Sequence, residues 1–341
     1  MRRTTLAACI LTFVLAGYPA VSAVASHNLR QPAASSQDDQ QTPTIQQPLR
    51  VQTSLVNVFA TVRDKKHAIV SDLTKDDFKI SEDGTDQKVA YFAKEVDMPI
   101  TLGLLIDTSG SMDRLLPAEQ DAATRFLKTV MRKKDEAMVM SFDLDADLLA
   151  DFTEDTSELE RAIRRTMINT AGGLGPVTPG TIPNNSVGGT ILYDAIYLAC
   201  HDQLASEAGR KAVVILTDAE DEGSKLSLQA AVESAQRADA VIHVLLIADT
   251  GGFFGRGMDY GGGAAANRMA DDTGGRVIDV RNEKTLETAF DQISEELRSQ
   301  YVLGYYPTNP KRDGAFRKIQ VTVDRQDTKV LARKGYYAPV G

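Results

Sequence analysis

The chain has no tryptophan, two cysteines and four histidines in 341 residues, and no strongly basic stretch. Each shortage removes a class of function. His27, His67, His201 and His243 are scattered and form no His-Glu-x-x-His spacing, so a zinc hydrolase is not expected. No Gly-x-Ser-x-Gly elbow and no Gly-Lys-Ser/Thr phosphate loop occur, which leaves the common serine-hydrolase and nucleotide-binding machineries without their parts. The formal charge is −9, with 38 Lys and Arg against 47 Asp and Glu, and nucleic acid is excluded as a partner on that ground. What is present is ordinary globular material, 43% hydrophobic and 25% charged. The length allows two or three domains at roughly 100–200 residues each.

The first 25 residues have the three parts of a secretory signal: Arg2 and Arg3, an apolar run from Leu6 to Gly17, and small residues at Val21-Ser22-Ala23-Val24-Ala25. The run is too short to span a bilayer, so cleavage leaves no transmembrane span. Leu6-Ala7-Ala8-Cys9 spells a lipoprotein box but precedes most of the apolar run, so Cys9 is read as part of that run. Cys200 is then the only cysteine of the exported chain, and no intramolecular disulfide can form. It sits in an apolar helical pattern as a buried thiol. Residues 26–48, rich in Gln, Ser, Pro, Asp and Thr, read as a disordered linker. The expected location is secreted, periplasmic or otherwise in the cell envelope.

Residues 49–97 alternate as strands do, in Val51 to Arg63, Phe78-Lys79-Ile80 and Val89-Ala90-Tyr91-Phe92, with turn residues between them. Residues 299–341 repeat that style. Between them, 98–298 changes to buried strands near 100–106, 137–142, 212–217, 241–247 and 276–280. Helical patterns occupy 115–132, 156–167, 190–204, 226–237, 264–273 and 283–298. This is an α/β arrangement: a doubly wound, mostly parallel sheet with its crevice at the carboxyl ends of the strands. The two β segments are expected to pack together as one flanking sandwich, since an isolated hairpin is marginal in water; two separate appendages are the alternative.

The chemistry gathers at Leu104-Leu105-Ile106-Asp107-Thr108-Ser109-Gly110-Ser111-Met112, where a buried strand stops at one carboxylate followed by two hydroxyls at alternate positions. Val187-Gly188-Gly189-Thr190 opens a helix, and Ile215-Leu216-Thr217-Asp218 ends another central strand. Adjacent strands in a doubly wound sheet bring all three tips to one crevice. These segments closely resemble the von Willebrand factor A domain, whose metal-ion-dependent adhesion site has the pattern Asp-x-Ser-x-Ser, a distant Thr, and an Asp after a later strand. The resemblance covers about 98–298 and implies a metal set of Asp107, Ser109, Ser111, Thr190 and Asp218. The three hydroxyls would touch the metal, and the two carboxylates would act directly or through water. The metal implied is Mg²⁺, or Mn²⁺ or Ca²⁺ in its place. The partner implied is a protein or envelope ligand that donates an acidic group. Mg²⁺ favours near-octahedral oxygen coordination at about 2.0–2.1 Å and keeps water readily, which suits such a set. The purely structural alternative is that Asp107 and Ser109 cap the following helix and Asp218 makes an Asx turn.

Val56-Asn57-Val58, Leu73-Thr74-Lys75-Asp76-Asp77-Phe78, Tyr301-Val302-Leu303-Gly304-Tyr305-Tyr306-Pro307 and Arg333-Lys334-Gly335-Tyr336-Tyr337 resemble, more narrowly, the bacterial "VWFA-related" proteins of acidobacterial genomes.

Weaker signals have plainer readings. Asp143-Leu144-Asp145-Ala146-Asp147 has the acidic spacing of a calcium loop, but Leu148 stands where the loop needs Gly, and a solvated hairpin turn is expected. The same residues spell the Asp-x-Asp start of a haloacid-dehalogenase-type phosphatase with Asp143 as nucleophile, which is the enzyme alternative. The glycine-rich run 251–263 and the segment 171–187 are surface loops that can line the crevice. The tyrosines near both ends of 301–337 suit either an aromatic binding face or strand packing. The chain is therefore expected to be a non-enzymatic, metal-dependent binding module. The alternative is a scaffold whose β-domain carries the partner surface.

Overall fold

A computed structural model describes residues 55–95, 98–168, 189–247 and 262–341. The expected signal and linker (1–48), the segment 171–187 and all but the end of the glycine-rich run 251–263 lie outside the described residues. The description below concerns the unit from Val51 to Gly341.

Among the described residues, eight strands come from the two ends of this unit. β1 (Val56–Asp64), β2 (Phe78–Glu82), β3 (Thr85–Gln87) and β4 (Val89–Glu95) precede the central part, and β5 (Ile100–Asp107) opens it. The central part continues as α1 (Leu116–Val130), β6 (Glu136–Phe142), β7 (Ala146–Thr153), α2 (Thr156–Ile163), α3 (Leu192–Tyr197), β8 (Arg210–Thr217), α4 (Leu228–Ala238), β9 (Ala240–Ile247), α5 (Gly262–Thr273), β10 (Val277–Val280) and α6 (Glu283–Arg298). β11 (Gln300–Tyr305), β12 (Phe316–Val323), β13 (Thr328–Ala332) and β14 (Gly335–Tyr337) complete the chain.

The flanking strands form two four-stranded sheets, ordered β13-β1-β11-β4 and β14-β12-β2-β3. Each mixes amino- and carboxyl-terminal strands, so neither end completes a sheet alone. β1 runs antiparallel to β11, with Val58 opposite Leu303, and β2 to β12, with Ile80 opposite Val321. Val58, Ala60, Val62, Phe78, Ile80, Tyr301, Leu303, Tyr305 and Ile319 form one shared core. The tyrosines belong to that core. Tyr301 lies 5.1 Å from the Phe78 ring, and its hydroxyl donates to Val70 O and accepts from Leu73 N–H, both at 3.0 Å. The buried Glu82 carboxylate accepts from the Tyr305 hydroxyl at 2.7 Å and the Tyr336 hydroxyl at 3.0 Å. Strand packing thus accounts for Tyr301, Tyr305 and Tyr336, while Tyr306 is exposed.

The central sheet has the order β10-β9-β8-β5-β6-β7, parallel except for β7. Every residue of β5 is buried because helices cover both faces. Leu102, Leu104 and Ile106 meet α1 and α6, whose Phe126 and Phe290 rings stack at 4.7 Å. Leu105 points the other way, into the cluster that holds Leu192, Ile196, Val232 and Met269. Alternation along one strand therefore feeds two cores.

β7 is the antiparallel edge strand that follows the expected hairpin turn at 143–145. One feature differs from the sequence expectation. The helix expected at 190–204 begins only at Leu192, because Thr190 and Ile191 are held by other backbone. Thr190 O accepts from Glu222 and Gly223 N–H at 3.1 and 3.2 Å, and Ile191 N–H donates to Asp143 O at 2.8 Å. After Tyr197 the helix widens into a π segment, Leu198–Gln203, that carries Cys200.

Cys200 is fully buried, and desolvation pushes its thiol up to about 12. We expect a maleimide reagent to leave the folded chain without its first 25 residues, and so without Cys9, unlabelled at pH 7.5 and to label it at one site in urea, with labelling followed by mass spectrometry.

Candidate functional site

The strand order reverses beside β5: the chain passes from β5 to β6 on one side and later returns to β8 on the other. The carboxyl ends of β5 and β8 flank the crevice that such a reversal leaves. β5 ends in Asp107 and β8 in Thr217, with Asp218 next.

Asp107 is completely buried, and its two oxygens hold different elements. Oδ1 accepts from the backbone N–H of Ser109 at 2.9 Å, which bends the chain sharply after the strand. Oδ2 accepts from the Thr217 hydroxyl at 2.6 Å. The Thr217 hydroxyl in turn accepts from Ala219 N–H at 3.0 Å, so one carboxylate braces both strand tips. The Ser109 and Ser111 hydroxyls lie 3.0 Å apart, Ser109 half-buried and Ser111 exposed. Thr108 donates to the Asp143 carboxylate at 2.9 Å, fixing the β6–β7 turn beside them.

The structure thus brings Asp107, Ser109 and Ser111 into one turn, with Asp218 directly after Asp107's partner Thr217. Thr190 is nearly buried and is tied to the 222–223 backbone that follows β8. Asp218 accepts from Glu220 N–H at 3.1 Å, as an Asx turn does. The helix-capping alternative for Asp107 and Ser109 is not what the geometry contains: α1 starts after Leu115, and Ser109 makes no side-chain cap bond.

Burial dominates the electrostatics. Desolvation raises Asp107 to about 6, opposed by the Thr217 and Ser109 hydrogen bonds and reinforced by the charge of Asp218. Sequence reasoning missed two residues here. In the sequence Thr217 reads only as the end of a strand. Glu119, in the first turn of α1, is completely buried, and desolvation followed by the charge of Asp107 pushes it up to about 8. The signal for Glu119 lay in the sequence, as a carboxylate on the apolar stripe Leu116, Glu119, Ala123, Phe126, Val130.

Among the described residues no group of three or more His, Cys, Asp and Glu is placed to hold a metal ion. The donors in this crevice are chiefly hydroxyls.

Residues 102–220 match the sequence family described as von Willebrand factor type A domain. No curated protein matches. Among solved structures, the chain is similar to a conserved hypothetical protein, BatB, from Bacteroides thetaiotaomicron, at 19% identity and TM-score 0.40, over 59% of this chain and 100% of that one. The vWF domain of the type V pili tip protein Mfa5 from Porphyromonas gingivalis is similar at 15% identity and TM-score 0.42, over 60% and 96% of the two chains. A von Willebrand factor type A protein from Catenulispora acidiphila is similar at 12% identity and TM-score 0.44, over 84% and 75%. Residues 102–220 thus resemble a von Willebrand factor A domain, within a doubly wound, mostly parallel sheet of A-domain or Rossmann-like kind.

Proposed function

We propose that this chain is an exported binding module that holds one divalent cation at Asp107, Ser109, Ser111, Thr190 and Asp218 and binds a protein or envelope ligand through it. The observation that carries this reading is the turn after β5, where a buried carboxylate braced by Thr217 sets two serine hydroxyls 3.0 Å apart. Hydroxyl oxygens with one or two carboxylates are hard donors suited to Mg²⁺ or Mn²⁺ and leave room for an outside ligand. The bound cation would supply a positive centre for a partner's acidic side chain. Asp107 would orient the turn, and the hydroxyls and Asp218 would form the shell.

The module is non-enzymatic. Ser109 and Ser111 are bonded to each other instead of to a base, and the Asp143 carboxylate holds Thr108 and its own turn rather than facing a substrate as a free nucleophile. An exported location suits the amino-terminal signal. Among the described residues no helix is long and apolar enough to cross a membrane. The narrower likeness to the acidobacterial VWFA-related proteins belongs to this proposal too.

Calorimetric titration with Mg²⁺ and Mn²⁺, beside Asp107→Ala, tests the metal reading. We expect saturable one-site binding in the native chain and none in the variant; heats absent from both would refute it. Chelation should likewise abolish capture of a partner.

One observation favours the scaffold reading as a second. A cavity of about 410 Å³ opens between the flanking sheets and the A domain, lined by Asn57, Arg237, Arg333, Tyr336 and Tyr337 among others. Partner binding that survives both EDTA and Asp107→Ala would move the partner surface there.

A further inference from the structure

Glu119 is wholly buried, and neither of its carboxylate oxygens has a hydrogen-bond partner. No Lys, Arg or His among the described residues forms an ion pair with it. The charged group that acts on it is Asp107. A side chain on that stripe of α1 faces the sheet, where alanine or leucine would pack at no electrostatic cost. A buried polar group left unsatisfied in a native fold calls for a missing partner.

We propose, resting on the metal reading above, that Glu119 is a positioning residue for the same cation: its carboxylate accepts a hydrogen bond from a water of the cation's hydration shell, from inside the domain. Among the described residues no group of three or more His, Cys, Asp and Glu is placed to hold a metal ion directly; on this assignment Glu119 reaches the cation through water. Mg²⁺ retains several waters when protein-bound, and the groups that hold a metal's outer shell tune affinity by 10–100-fold. On this assignment Glu119 weakens the metal-free fold and strengthens the metal-bound one. A residue kept only for packing has no reason to show that opposition.

The experiment compares the full chain with Glu119→Gln, Glu119→Leu and Asp107→Ala by Mg²⁺ and Mn²⁺ calorimetry, and by thermal melting with EDTA and with Mg²⁺. Glu119→Gln keeps the size and hydrogen-bonding shape of the side chain, so it guards against a Leu variant that fails to fold. We expect both Glu119 variants to bind Mg²⁺ roughly 10–100-fold more weakly. Glu119→Leu should melt higher than the native chain in EDTA and gain less from Mg²⁺. If Asp107→Ala loses binding while both Glu119 variants keep native affinity, the role of Glu119 is refuted and the metal reading stands. If the native chain binds no metal, both fall.

Discussion

Glu296→Ala is expected to destabilise the chain by about 3–5 kcal/mol, read from urea unfolding, because it strands the buried Arg63 guanidinium. Glu296, near the end of α6, is 1% exposed and stands between two guanidinium groups. Arg276 Nη1 donates to its Oε1 at 2.9 Å, and Arg63 Nη2 forms an ion pair with the same oxygen at 2.6 Å, without hydrogen-bond alignment. His243 Nδ1 lies 3.6 Å from Oε2. Arg63 belongs to β1 of the flanking sandwich, while His243 and Glu296 belong to the central sheet and its covering helix, and Arg276 directly precedes β10. One carboxylate therefore neutralises charge from both. Removing it leaves Arg63, itself 5% exposed, buried against Arg276 with no anion. Arg63→Ala should cost less, since Glu296 keeps Arg276 and the bond from Arg276 to Gln292 at 3.0 Å persists. The Arg63/Glu296 double variant should then be less destabilised than the sum of the singles. Additive losses would mean that the pair is not coupled.

The contrast between what the sequence discloses and what it hides follows from the range of the interactions. β5, β6, β8 and β9 are readable because a strand covered on both faces is mostly apolar, and Leu104-Leu105-Ile106 announces that locally. The turn Asp107 to Ser111 is readable because its spacing is local as well. Partners across the fold are not. Nothing in Thr217 marks it as the donor to Asp107, 110 positions away, because hydrogen bonding between strand tips depends on sheet order. Sheet order itself is set by long-range pairing such as β1 with β11, which no local pattern contains. Glu119 shows a third case: it breaks the apolar stripe of α1 in plain view, yet a charged residue on a buried face is easily passed over as solvent-facing until its burial is known.

Raising the pH from about 6.5 to about 8 is expected to lower the stability of the metal-free chain by about 2 kcal/mol, and Mg²⁺ is expected to remove that loss. The sign follows from Glu119. Its folded-state value is pushed up to about 8 from an ordinary 4.5 by burial, then by Asp107. Between those values the folded chain holds a proton that the unfolded chain has released, so stability falls as pH rises and the loss is complete above about 8. Asp107, raised to about 6 chiefly by burial, acts in the same sense at lower pH. His243 acts oppositely there: burial lowers it, the Glu296 carboxylate pulls it back up, and Arg276 and Arg63 lower it further. The unfolded imidazole is protonated below about 6.5 while the folded one stays neutral, so His243 adds stability as pH climbs to that point. The exposed carboxylates held low by hydrogen bonds and ion pairs, such as Asp72, Asp77 and Asp313, finish titrating below the ordinary carboxylate range. The interval above 6.5 therefore reports chiefly on Glu119. Melting in EDTA across it should fall by roughly 4–8 °C, and Glu119→Gln should flatten the slope. With saturating Mg²⁺ the native chain should lose its slope, because a bound cation favours the ionised carboxylates that burial alone disfavours. A slope that persists unchanged in Glu119→Gln would assign the titration to another group.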